Sequence, residues 1–199
     1  MSQHRLNVVD LALLLICAAS LGLGEAAWAD AAQDCRSGTP DSRVVGCSAL
    51  LAEARTPRQQ AIALDGRCKA NNDRSAFLEG ISDCTSAIRA DDDYPYSYFN
   101  RGIAQAGLNN HTAAIADFSR AHNLRPNFAW ILVNRAKSHA SLRNTEAAIR
   151  DYEEALRLKP DNEEAKVNLA LLRSGGTINP SAMSIVPPAN SLCGSVGCN

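Results

Sequence analysis

Aromatic residues are scarce in this chain of 199 residues, where Phe, Tyr and Trp together make up 5% of the sequence. A core with so few rings must consist mainly of aliphatic and alanine side chains, and such small side chains suit helices that pack closely. Neither sign of charge dominates, because 20 Lys and Arg residues stand against 21 Asp and Glu residues. The chain therefore lacks the basic stripe that nucleic-acid binding requires.

Long apolar runs are also few. The one that is present, Leu11 to Leu23, follows Arg5 near the N-terminus and is too short for a comfortable membrane anchor. Small residues come after it and end in Ala27-Trp28-Ala29, an Ala-x-Ala pattern typical of signal-peptide cleavage. We expect residues 1–29 to be a signal peptide that is removed before Asp30, with an uncleaved anchor as the alternative. The mature chain is then expected to have no membrane span.

Motifs for catalysis and metal binding are missing as well. The sequence contains no H-E-x-x-H, no G-x-S-x-G and no phosphate-binding glycine loop. His111, His122 and His139 do not have the spacing of a metal site, and the acidic run at 91–93 lacks the alternating ligands of a calcium loop. We therefore expect no enzyme activity, no metal and no cofactor.

What the sequence does contain is an internal repeat with a period of about 34 residues. Five kinds of residue recur at this interval: Arg67, Arg101 and Arg135; Asp83, Asp117 and Asp151; Ile81, Ile115 and Ile149; Ala87, Ala121 and Ala155; Pro126 and Pro160. Apolar residues at helical spacing, interrupted by turns and ended by the prolines, indicate two helices in each unit. A period of this length predicts a stack of identical helical hairpins.

Two of these units resemble tetratricopeptide repeats. The resemblance lies in the stretches NRGIAQAGLNNHTAAIADFSRAHNLRPN and NRAKSHASLRNTEAAIRDYEEALRLKPD. The matching residues are Gly102, Ala114, Phe118, Ala121 and Pro126, and then Ala136, Ala148, Tyr152, Ala155 and Pro160. This resemblance implies an all-α fold, a right-handed superhelical stack of antiparallel helix pairs with a C-terminal capping helix.

The repeat divides the chain into segments. We expect a disulfide-tied N-terminal segment at 30–60 with a helix over 42–55, three units at 61–94, 95–128 and 129–162, a capping helix at 163–173 and a Gly/Ser/Pro-rich tail at 174–199. The first unit matches the pattern less well, because Gly80 and Cys84 replace the usual alanine and ring.

Six cysteines remain after the predicted signal peptide, and an even number in an exported chain indicates disulfides. Cys68 and Cys84 lie where the two helices of the first unit face one another, with two buried free thiols as the alternative. Cys35 and Cys47 flank a short polar loop that a disulfide would close. Cys193 and Cys198 either close a loop in the tail or pair with another chain, and thiol–disulfide exchange is a weaker possibility.

The recurring arginines and aspartates predict ion pairs within each unit. Each arginine on a first helix precedes an aspartate on the second helix by sixteen residues. We interpret the three pairs as structural, while charges that bind a ligand are the alternative.

In the family that the chain resembles, the first helices line a concave groove that receives a peptide or helix of a partner protein. The resemblance implies that this chain is an interaction module, with these partner-binding residues: Tyr96, Phe99, Asn100, Ile103, Trp130, Val133, Asn134 and Lys137. Asp65 stands among them where relatives that clamp a C-terminal carboxylate need a cation, which disfavours such a clamp. The alternatives are that the rings are packing residues or lie under the chain's own tail.

The resemblance is closest to exported bacterial repeat proteins, and it implies a periplasmic or secreted location. The expected partner is another protein or a peptide segment. A protein that associates with itself to form a structure is the rival hypothesis.

Overall fold

The computed structural model describes residues 30–178, and this part of the chain contains helices and turns but no strand. The helices are α1 (residues 30–37), α2 (Pro40–Glu53), α3 (Pro57–Asp73), α4 (Phe77–Ala90), α5 (Pro95–Gly107), α6 (His111–Leu124), α7 (Ala129–Ser141), α8 (Thr145–Leu158) and α9 (Glu163–Arg173). Within the described range no helix is long and apolar enough to cross a membrane. The predicted all-α fold is confirmed.

The helices pair in sequence order. The pairs α3 with α4, α5 with α6 and α7 with α8 pack as hairpins, and each hairpin also packs against the first helix of the next. The first helices α3, α5 and α7 follow one another along one side of the stack, where α3 contacts α5 and α5 contacts α7. This side is the concave face, and α2 packs against α3 at the N-terminal end of the stack.

Two helices begin earlier than the repeat pattern predicted. The helix expected at 42–55 starts at Pro40, where the Thr39 hydroxyl accepts the backbone N–H of Ser42. The first helix of the first unit starts at Pro57 and not at the unit boundary of residue 61, because Thr56 and Gln59 form a reciprocal capping box. A Thr or Ser followed by proline was the signal for both starts.

The turn inside each hairpin depends on one residue in the left-handed region. Ser75, Asn109 and Arg143 have φ angles of 60°, 61° and 59° and are separated by one repeat period each. In this conformation the backbone ends the first helix and turns the chain toward the second. The recurrence of this angle shows that all three hairpins share one turn geometry.

A small residue facing a large ring fills the centre of the hairpins. In α5 a Cβ added to Gly102 would lie 2.7 Å from the ring of Phe118, so the ring in its present position requires glycine at residue 102. Ala136 and Tyr152 hold the same positions in the next unit and are fully buried. In the first unit these positions are Cys68 and Cys84, and the disulfide predicted between them is present. The disulfide therefore replaces the contact between a small residue and a ring that the other two units make.

The second predicted disulfide, Cys35 to Cys47, joins α1 to α2. It also lies against α3, since a Cβ added to Gly66 would come within 2.9 Å of both sulfur atoms. The N-terminal segment is thereby fixed onto the first repeat. Cys193 and Cys198 lie outside the described residues, as do the predicted signal peptide and nearly all of the predicted tail.

The predicted ion pairs are confirmed in all three units. The Nε atoms of the three arginines donate to aspartate Oδ2 atoms at 2.9, 2.8 and 2.8 Å in the pairs Arg67–Asp83, Arg101–Asp117 and Arg135–Asp151. Each arginine also donates through Nη1 to a hydroxyl of the preceding second helix, at Ser48, Thr85 and Ser119 respectively. These arginines therefore join one hairpin to the next, which supports the structural interpretation.

The capping helix α9 covers the apolar side of the last hairpin. Ala165, Leu169 and Leu172 are buried against α7 and α8, while Lys166 and Arg173 face solvent. Asn162 caps the helix by accepting the backbone N–H of Ala165 at 3.0 Å. Charged side chains on the outer side are typical of a terminal element that ends a repeat stack in water.

The concave face as candidate functional site

Three of the eight predicted partner-binding side chains belong to the core. Phe99, Ile103 and Val133 are 1%, 4% and 0% exposed. Phe99 packs against the rings of Phe118 and Phe128 with centroids 5.9 and 5.7 Å apart. A partner-binding role does not fit these three residues, because their surface is already in contact with the neighbouring helices.

An apolar row remains accessible on the concave face. It consists of Ile62, Tyr96 and Trp130, which stand at the same position of successive repeats, near the start of each first helix. Ile62 is 45% exposed, and the two rings are half-buried. Sequence reasoning found Tyr96 and Trp130 but missed Ile62, although the period places it in the same row. We call these three residues the apolar row.

The rings of this row have fixed surroundings. Tyr96 meets Phe128 edge to face at 6.0 Å, and the guanidinium of Arg125 lies 4.9 Å from the Tyr96 ring centroid. Trp130 packs against the cores of both the second and the third hairpin. Rings held in this way offer contact area at a small cost in conformational entropy, which is typical of residues that anchor a partner.

A second row along the concave side consists of amides. Asn100, Asn134 and Asn168 stand at equivalent repeat positions and are buried. Their Nδ2 atoms donate to Asp65 Oδ1 at 2.9 Å, to the Trp130 carbonyl at 2.8 Å and to the Tyr152 hydroxyl at 3.2 Å. Asn100 therefore joins α5 to α3, whereas Asn134 bonds within its own helix α7. The period identifies Asn168, which joins α9 to α8, as their missed counterpart.

Asp65 is the most perturbed carboxyl group of the concave side. Burial raises its pKa to about 7, although the hydrogen bond from Asn100 and the nearby Lys69 ammonium act in the opposite direction. Asp65 is 8% exposed, so water solvates its charged form poorly. Asp65 therefore carries a proton for part of the time at neutral pH.

The two lysines of the concave face are already paired. Lys69 bonds Asp73 at 3.0 Å, and Asp73 also pairs with Arg43 of α2. Lys137, a predicted binding residue, bonds Glu164 of α9 at 2.7 Å. These carboxylates neutralise the cations that an acidic ligand would need, in agreement with the sequence argument against a carboxylate clamp.

The described residues do not assemble a metal site. Among residues 30–178, no group of three or more His, Cys, Asp or Glu side chains is placed to hold an ion. Burial lowers the pKa of His111, His122 and His139, which favours their neutral forms at pH 7.

Comparison with known families identifies the repeats. Residues 95–128 and residues 129–162 each match the family described as tetratricopeptide repeat. These ranges are the second and third units of the internal repeat. Residues 95–162 are two tetratricopeptide repeats. Comparison with curated protein sequences gave no significant match.

Solved structures share the tetratricopeptide fold. The first repeat domain of Spaghetti (RPAP3), bound to the HSP90 peptide SRMEEVD, is 26% identical, with 60% of this chain and 95% of that chain covered and a TM-score of 0.59. The second repeat domain of human RPAP3, in complex with the HSP70 peptide SGPTIEEVD, is 24% identical, with 59% and 98% covered and a TM-score of 0.57.

A bacterial structure shows the same fold. The thermophilic repeat protein TTC0263 of Thermus thermophilus is 21% identical, with 75% of this chain and 81% of that chain covered and a TM-score of 0.59. At this identity the likeness concerns the fold alone. The tetratricopeptide fold thus extends over the first unit as well, which the repeat family itself does not match.

Proposed function

We propose that this tetratricopeptide-repeat protein is exported and binds an extended, apolar segment of another protein on its concave face. The apolar row of Ile62, Tyr96 and Trp130 carries the proposal. It places partly exposed apolar side chains at the same position of three successive first helices, and an extended segment is able to contact all three. The fold supplies the surface, and these side chains supply the contact energy.

Export is supported by the cysteines. The disulfides Cys35–Cys47 and Cys68–Cys84 lie in the interior of the N-terminal segment and the first hairpin. Such bonds persist in oxidising compartments, and the N-terminal sequence has the pattern of a signal peptide. These two features together support a periplasmic or secreted location.

The partner segment that fits best is neutral and apolar. The peptides bound by the two RPAP3 domains end in Glu-Glu-Val-Asp. Here the lysines of the concave face are paired with Asp73 and Glu164, and Asp65 adds a further carboxyl group. An acidic peptide would have to break these pairs, and unpaired carboxylates would then repel it.

Titration calorimetry with peptides tests the proposal. Peptides selected on the protein by phage display should be apolar and uncharged, and Trp130→Ala should weaken their binding about tenfold or more. Leu78→Ala is the matched control, because Leu78 is 70% exposed on the second helix α4 and lies away from the concave face. The Leu78→Ala variant should bind the selected peptides with unchanged affinity.

The peptide SRMEEVD provides the opposite arm of this experiment. We expect no measurable heat at a peptide concentration of about 1 mM, where binding would correspond to roughly −4 kcal/mol. Tight binding of SRMEEVD, or full affinity of the selected peptides for the Trp130→Ala variant, would contradict the proposal.

A further inference from the structure

The N-terminal helices repeat the hairpin pattern with sulfur in place of a ring. In α2, α4 and α6 the residue directly before the hydroxyl that accepts from the next arginine is Cys47, Cys84 and Phe118 respectively. Cys47 therefore stands at the ring position of α2. Its partner Cys35 lies on α1, as Cys68 lies on α3. Two successive helix pairs at the N-terminal end thus have a disulfide where the next two have a ring.

The apolar cores of the two halves differ accordingly. Among the described residues, the buried cluster around α3 consists of Ala61, Leu64 and Ala87. The cluster of the second hairpin includes three buried phenylalanines, and the cluster of the third includes Tyr152 and three buried leucines. Small side chains remove less apolar area from water, so α1 to α4 gain less hydrophobic stabilisation than α5 to α9.

The two disulfides compensate for this small core. They join cysteines 12 and 16 residues apart, and in the chain-entropy model each shifts the folding equilibrium of its helix pair about a hundredfold. Repeats of this kind contact mainly their neighbours, so one end of a stack can unfold while the rest stays folded. Without the disulfides, α1 to α4 therefore lose their main stabilisation, while α5 to α9 keep their rings.

The apolar row depends on both halves of the stack. Ile62 lies on α3, whereas Tyr96 and Trp130 pack against the clusters of the second and third hairpins. Asp65 of α3 also accepts the hydrogen bond from Asn100 that joins α5 to α3. When α3 unfolds, the row therefore loses Ile62 and keeps its two rings.

We propose that oxidation of the two cysteine pairs completes the binding face: the reduced chain folds only over α5 to α9, and disulfide formation adds α3 and with it Ile62. Each pair gives two protons and two electrons to a disulfide oxidant, which becomes a dithiol. Cys47, Cys68 and Cys84 are fully buried in the folded chain, so the bonds form before α1 to α4 pack and afterwards resist attack by thiolates. The inference rests on the proposed function, because it assigns the condition under which that same surface is complete.

Hydrogen exchange of the purified protein in its oxidised and reduced forms tests the inference. The reduced form is unfolded and refolded with dithiothreitol, and the oxidised form is refolded in a glutathione redox buffer. In the reduced form, the amides of α3 and α4 should exchange about a hundredfold faster, and those of α6 to α8 should change less than about threefold. Equal protection of α3 and α4 in both forms would overturn the inference, as would an equal loss of protection in α6 to α8.

A variant with a ring in place of the sulfur is the matched control. Cys68→Gly combined with Cys84→Phe supplies the contact that Gly102 and Phe118 make, so α3 and α4 should be protected in both of its forms. A variant whose α3 and α4 are protected only when it is oxidised would contradict the proposed exchange of ring for sulfur. Cys193→Ser combined with Cys198→Ser should leave both exchange profiles of the parent chain unchanged, and a profile that follows these two cysteines would overturn the inference.

Binding of the phage-selected peptides separates this inference from the proposed function. The oxidised form should bind them about tenfold more tightly than the reduced form, and Ile62→Ala should lower the affinity of the oxidised form to that of the reduced form. If both forms bind equally while Trp130→Ala weakens binding, this inference fails and the proposed function stands. If Trp130→Ala leaves the affinity of both forms unchanged, the proposed function fails, whatever the exchange profiles show.

Discussion

Asp65 shows how a single residue of the groove links stability to pH. Its folded-state pKa of about 7 lies above the ordinary value of 3.8. Folding therefore favours the protonated form, and the stability that this form provides is fully present below pH 4 and is lost as the pH rises toward 7. The opposing contacts, from Asn100 and Lys69, are not strong enough to reverse this sign.

We expect Asp65→Asn to remove this pH dependence. The variant keeps an oxygen that can accept from Asn100, but it carries no charge to bury. Relative to the wild type, its free energy of unfolding should rise by a few kcal/mol between pH 4 and pH 8. Urea titrations at both pH values measure this difference. The exposed Asp92→Asn change should show no such trend, and a parallel pH profile for wild type and Asp65→Asn would contradict the assignment.

At the same scale, the sequence predicted ion pairs better than it predicted binding residues. Arg101 and Asp117 could be paired from their spacing alone, since each recurs once per repeat and the two helices must face one another. Phe99 and Val133 could not be separated from Tyr96 and Trp130 in this way. A first helix packs against its own second helix and against both neighbouring first helices, so apolar residues cover most of its circumference. Burial then depends on helix rotation, which spacing does not specify.

The first hairpin shows how one element keeps its geometry with different chemistry. Cys68 and Cys84 occupy the positions of Gly102 and Phe118, and the disulfide fills the space between the helices. The sequence predicted this replacement of a ring contact by a disulfide, because Cys84 stands at the position where the repeat pattern has a ring. What it could not show is that Gly66 provides room for the second disulfide against the same helix.

This exchange can be reversed. Replacing both cysteines by alanine should lower the free energy of unfolding by about 3 kcal/mol, because the loop closed by the disulfide spans 16 residues. Cys68→Gly combined with Cys84→Phe should recover part of that loss by restoring the contact seen at Gly102. Chemical denaturation of the wild type, the Ala/Ala variant and the Gly/Phe variant measures the three free energies of unfolding. A Gly/Phe variant that is no more stable than the Ala/Ala variant would show that the two hairpins are not interchangeable.

The sequence predicted where helices end better than where they begin, because the two kinds of end depend on different local signals. The prolines at 126 and 160 end helices plainly, because proline cannot continue one. The starts at Pro40 and Pro57 depend on capping threonines that precede the repeat pattern, so the period contains no information about them. The sequence also gave no signal for the left-handed turn residues Ser75, Asn109 and Arg143. They are three different residue types, and only their positive φ angle is shared.

For the whole molecule, the arginines make the stack continuous. Each one bonds an aspartate of its own hairpin and a hydroxyl of the preceding second helix, so no hairpin is bonded only to itself. The N-terminal disulfide and α9 close the two ends. The stack therefore presents one continuous surface along its first helices, on which Ile62, Tyr96 and Trp130 are partly exposed.

Photo-crosslinking in the cells that make the protein tests most directly whether this surface is the binding face. A photoreactive amino acid is placed at Ile62 or Tyr96 on first helices, and at Leu78 or Glu146 on second helices as controls. The account predicts that the two first-helix positions crosslink to a common protein and that the two second-helix positions do not. Crosslinks from Leu78 and Glu146, with none from Ile62 and Tyr96, would contradict it.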